Sequence, residues 1–173
     1  LDAFPDYKMK IANSGGTPTY TRPCCTSELE IQDEESLKTD IENLSKALSA
    51  NGHSKAFMNA ASPGVINVFM PNKFYQNDDE YLEKLSNIMS AEYKTITKNN
   101  LHLQLDCPDL ALARHMNYKD LSDEDFLQRA EKQIEALNHA LSDIPSDQVR
   151  MHICWGNYEG PHTFDIGLEK ILP

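Results

Sequence analysis

Apolar residues recur at helical spacing in three stretches of the chain. Leu37, Ile41, Leu44 and Leu48 follow at intervals of four, three and four and predict a helix over about 34–50. Asn51-Gly52 ends it, with Gly52 suited to a left-handed cap. Leu82, Leu85, Met89 and Ile96 mark the buried stripe of a second helix over about 78–98, and Asp78, Asp79 and Glu80 suit its positive N-terminus. Phe126, Ala130, Ile134, Leu137 and Leu141 do the same over about 123–141, with Ser122 as N-cap and Pro145 closing the unit.

Strand-like runs lie between these helices. Leu101, Leu103 and Leu105 alternate with His102, Gln104 and Asp106 in the clearest of them, 101–107, which Pro108 ends. Lys55 to Ala61 reads as another, closed by Ser62-Pro63-Gly64, a turn able to present backbone N–H groups to a ligand. Val65 to Met70 fits a short helix or strand, and Cys24 to Ile31 fits a strand. In the last run Val149, Met151 and Ile153 alternate with Arg150, His152 and Cys154 before Gly156, Asn157, Gly160 and Pro161 form a loop. Residues 1–23 are loop-like, and Ile166 onward reads as the opening of a helix. Strands alternating with helices imply parallel pairing with helical crossovers, as in a (β/α)8 barrel or a doubly wound sheet. Both keep their chemistry at the carboxyl ends of the strands.

The 173 residues fit one domain, and a 40% apolar fraction can fill its core. Twenty-seven acidic against 16 basic residues give a net charge of −11. That charge argues against nucleic acid and against an anionic membrane surface as partners. No apolar run reaches the ~18 residues of a membrane span. Cys24, Cys25, Cys107 and Cys154 form no CxxC pair and no disulfide framework, which points to a reducing cytoplasm. No glycine-rich nucleotide-binding motif occurs. A start at Leu1 and a stop at Pro173 soon after a helix opens point to a chain truncated at both ends.

Candidate chemistry gathers at two strand ends. His152 and Cys154 share a face, about 7 Å apart at ~3.3 Å of rise per residue, close enough to share a borderline cation such as zinc. H-x-C is also a short, common pattern, and spacing alone favours a buried strand carrying Cys as a small hydrophobe. Asp106 could bind an amine or other cation at the strand end, or serve as a loop cap or a partner for Arg114. His102 and Gln104 share its face, which in a barrel points inward. Cys107 points the other way, toward packing. Glu159 and His162 could orient a ligand from the loop, or be solvated. Trp155 could wall a pocket, although packing is the better reading. His53, His115 and His139 have no partner in spacing.

The segments Ser62-Pro-Gly-Val-Ile, Leu103-Gln-Leu-Asp-Cys-Pro-Asp-Leu and His152-Ile-Cys-Trp-Gly-Asn-Tyr-Glu-Gly-Pro-His together resemble the C-terminal catalytic domain of the cobalamin-independent methionine synthase family. The likeness is closest to the shorter single-barrel relatives in the wider uroporphyrinogen-decarboxylase/methionine-synthase superfamily and runs from about Pro23 to the end. It implies a (β/α)8 barrel of which this chain is roughly the middle half. It implies zinc held by His152 and Cys154, and Asp106 holding the amino group of homocysteine. The implied reaction moves the methyl group of 5-methyltetrahydropteroyl(tri)glutamate to the homocysteine thiol, giving methionine. The family's remaining ligands, a glutamate and a second cysteine, and its acid histidine would lie beyond Pro173, so the fragment alone is expected to be inactive. Two departures stand out. Leu112 occupies the place where the full-length synthases carry a glutamate six residues after the aspartate, and their segment after H-x-C is shorter. A relative using another thiol acceptor, such as coenzyme M, would keep the same zinc pair. A barrel-derived binding protein without metal chemistry is the reading of another class.

Overall fold

A computed structural model of the chain describes residues 3–13, 23–156 and 160–172. Its elements run α1 (Pro5–Asn13), α2 (Glu35–Ala50), β1 (Phe57–Ala61), α3 (Pro63–Phe69), α4 (Asp78–Lys98), β2 (His102–Asp106), α5 (Leu112–Met116), α6 (Asp123–Ala140), β3 (Val149–His152) and α7 (Leu168–Ile171), with 3-10 turns at Pro108–Leu110 and Ser146–Gln148. The class is mixed α/β with a small parallel sheet in the order β1-β2-β3.

The long helices form where their apolar stripes predict. Leu82, Leu85, Met89 and Ile96 of α4 are buried, together with Tyr81 and Tyr93. Phe126, Ala130 and Leu137 of α6 are buried, and Ile134 and Leu141 pack partly against the core. Ile41 of α2 is buried, with Leu37, Leu44 and Leu48 half-buried around it. Caps fix the ends. Ser122 Oγ accepts the Asp125 N–H, and Asn77 Oδ1 accepts that of Glu80. Gly52, at φ +69°, lets its own N–H reach the Ser49 carbonyl and the His53 N–H reach Leu48, a Schellman close to α2.

Two sheet faces result. Met58 and Ala60, Leu103 and Leu105, and Val149 stand in register and pack into the main core with residues of α2, α4 and α6. Their alternates, Phe57 and Asn59, His102, Gln104 and Asp106, and Arg150 and His152, are exposed or half-exposed on the other face. Met151 belongs to the packed set, yet on the edge strand it remains 42% exposed.

Two expectations need correction. Cys24 to Ile31 is not a strand: it holds a single parallel bridge, Cys25 to Asn72. Cys25 and Leu29 of that run pack in one small cluster with Tyr81 and Leu85, while Cys24, Glu28, Glu30 and Ile31 are exposed, so alternation does not anchor a register. Pro5–Asn13 is helical rather than loop, with Met9 exposed, so no core-facing stripe announced it. Of the two readings open for Val65 to Met70, the helix holds: α3 runs to Phe69, with Ser62 capping it and Pro63 opening it. Among the described residues no helix is long and apolar enough to cross a membrane.

Candidate metal centre

Parallel register sets Asp106 directly beside His152, at the carboxyl ends of β2 and β3. The adjoining backbone continues that alignment: the Cys107 N–H donates to the His152 carbonyl at 2.9 Å and the Leu112 N–H to the Cys154 carbonyl at 3.0 Å. Cys154 thus lies just past the strand but remains tied to the segment after β2. One ligand atom each from Asp106, His152 and Cys154 lies within 4.8 Å of the other two, and no other such trio occurs among the described residues. The buried-strand reading of H-x-C fails here, because His152 is exposed and Cys154 only half-buried.

The contacts inside the trio are unusual. Asp106 Oδ1 lies 2.8 Å from His152 Nδ1. It is nevertheless closed off from solvent and accepts no hydrogen bond, so the imidazole N–H direction misses it. Cys154 Sγ accepts the Gly156 N–H at 3.2 Å. Gly156 reaches that position with φ +85°, and a Cβ there would come within 2.6 Å of Leu112 Cδ1. An N–H on the sulfur complements a metal-bound thiolate. A thiolate, an imidazole and a carboxylate form a donor set that zinc accepts, and three protein ligands leave a position open.

The remaining predicted groups fall as follows. Arg114 is not the partner of Asp106: it is buried and binds Asp123 together with the Tyr118 and Leu121 carbonyls. Cys107 is fully buried, and burial pushes its thiol up to about 12, so it packs and does not ligate. His162 lies 3.0 Å from Asp165 and stacks on His115, outside the donor trio. His139 meets Asn87 Oδ1 at 2.9 Å. Trp155 donates to the Ile166 carbonyl at 3.2 Å, which ties the residue after Cys154 to the buried Ile166. Glu159 lies outside the described residues.

The turn Ser62-Pro63-Gly64 faces a carboxylate of the protein itself, not a ligand. Ser62 Oγ donates to Asp109 Oδ1 at 2.6 Å and accepts the Val65 N–H at 3.0 Å. Asp109 Oδ2 sits where a Cβ on Gly64 would be. Asp109 is 2% exposed, and burial raises its carboxyl to about 6 against the bond from Ser62. Sequence gave no sign of this pair, whose members are 47 positions apart.

Comparison with protein-family models, with curated proteins and with solved structures gives no match.

Proposed function

We propose that this chain is part of a zinc-dependent transferase that moves a methyl group from 5-methyltetrahydropteroyl(tri)glutamate to the thiol of homocysteine, built on a segment of a (β/α)8 barrel. The convergence of Asp106, His152 and Cys154 at adjacent strand ends carries the reading. Two features of the fold support the barrel. Strand order follows chain order without reversal, and the packed face alone carries the core helices. A doubly wound sheet reverses its order and covers both faces, whereas a barrel wall turns one polar face inward.

In this reading His152 and Cys154 hold the metal. Zinc bound there would keep an acceptor sulfur ionised at neutral pH, where a free thiol is mostly protonated. The Gly156 N–H orients the Cys154 sulfur. The half-exposed Asp106 carboxylate is within reach of an incoming amino group. Cys25, Cys107 and Cys154 are free thiols, which fits a reducing cytoplasm.

One observation favours a different acceptor. Leu112 places an aliphatic side chain against Gly156, where the synthases have a glutamate. Alkyl transfer to another thiol, such as coenzyme M, would use the same zinc pair. The test is methyl transfer from 5-methyltetrahydrofolate to homocysteine by the zinc-loaded protein at its full natural length. Turnover is expected; zinc bound without turnover on homocysteine removes the methionine-synthase reading. Zinc content unchanged by Cys154→Ser would leave a binding protein without metal chemistry.

A further inference from the structure

Three backbone bonds and one side-chain bond converge on the segment that follows β2. We propose that Asp109, through Ser62, is a positioning residue for His152 and Cys154: it holds residues 107–112 where their N–H groups set the poses of both. This rests on the metal reading and extends it to a pair of residues outside the donor trio.

The route runs through the backbone. The Cys107 N–H bonds the His152 carbonyl and the Leu112 N–H bonds the Cys154 carbonyl, so one short segment borders both. Between those two donors lies the 3-10 turn Pro108–Leu110, with Asp109 at its centre. Ser62 anchors that segment twice. Its N–H donates to the Asp106 carbonyl at 3.1 Å, and its Oγ donates to Asp109 Oδ1 at 2.6 Å. Ser62 is itself fixed: it is buried and accepts the Val65 N–H as the cap of α3. The choice of a carboxyl is informative. A buried Asp gives up its hydration, and an apolar side chain would fill the turn without that penalty. An apolar contact is not directional, however, whereas a hydrogen bond fixes distance and angle. Gly64 completes the fit, because a Cβ there would collide with Asp109 Oδ2. Ser62, Gly64 and Asp109 are thus matched to one arrangement of the two turns. The bonds from Cys107 and Leu112 pass that arrangement on to the end of β3.

The test is zinc affinity of the full chain by chelator competition, together with the visible bands of its cobalt(II) form, at a temperature where every variant is folded. There, a residue that only stabilises the fold leaves affinity and bands unchanged. Ser62→Ala removes the donor and should weaken zinc by about 10–100-fold, the range for groups that orient a metal ligand, and shift the cobalt bands. Asp109→Val fills the turn without an acceptor and should do the same. Asp109→Asn keeps an acceptor for Ser62 Oγ and should bind zinc as the parent does. Because Ser62→Ala and Asp109→Val break the bond from opposite sides, either one that folds decides the matter. Parental affinity and unshifted bands in that variant overturn the inference while the metal reading stands. A loss in Asp109→Asn equal to theirs also overturns it. A parent chain that binds no zinc and shows no cobalt–thiolate band overturns both.

Discussion

Asp109 is 2% exposed, takes a hydrogen bond from Ser62 and lies against Gly64, whereas Asp106, three positions earlier, has a side chain 46% exposed and an Oδ1 that accepts no hydrogen bond. Both belong to the same strand end and its following turn. One carboxyl has a donor built for it and joins β1's turn to the segment after β2. The other faces an imidazole and a thiol. Residue type and strand-end position are therefore poor guides to role. What separates the two is whether the fold supplies each oxygen with a donor.

The contrast can be broken most severely through pH. Burial raises the Asp109 carboxyl from 3.8 to about 6, so folding favours its protonated form. Its contribution is fully present below about pH 4 and is lost as pH rises through about 6. At about 1.4 kcal/mol per unit, the swing is at most about 3 kcal/mol. Asp109→Asn should flatten the dependence of melting temperature on pH between 4 and 6.5; an unaltered slope would show that Asp109 does not titrate in this range. Gly64→Ala comes next. Its added methyl overlaps the Asp109 carboxylate and should cost about 1–3 kcal/mol in denaturant unfolding. Wild-type stability would mean that Asp109 can move aside. The smallest effect sharpens the comparison. Asp106→Asn, made without metal, should change stability by no more than about 0.5 kcal/mol, as at an ordinary surface position. A loss similar to that of the buried pair would make Asp106 structural too.

Much of the framework was legible along the chain. The stripes of α2, α4 and α6 repeat over several turns, and the alternation of β2 sorts Leu103 and Leu105 from Gln104 and Asp106, so each element declares its buried side locally. The Ser122 cap and the Gly52 turn are local as well. The misses are of another kind. The α1 helix carries no repeating apolar stripe, and the run at Cys24–Ile31 makes only a single bridge, to Asn72. His152 and Cys154 were nameable as candidates from spacing and family likeness. That Asp106 meets His152 follows from pairing between segments 46 positions apart, and the Ser62–Asp109 bond spans a similar gap. Register between strands, not any local pattern, decides which polar groups meet.

The bond between Leu112 and Cys154, with Gly156 pressed on the Leu112 side chain, has a kinetic corollary. The pose of the thiol depends on the turn following β2 being docked beside the end of β3. A metal captured in the native arrangement would therefore report a late event in the assembly of the chain, after the sheet has chosen its register. Zinc uptake followed in time during refolding would act as a clock for the docking of that turn.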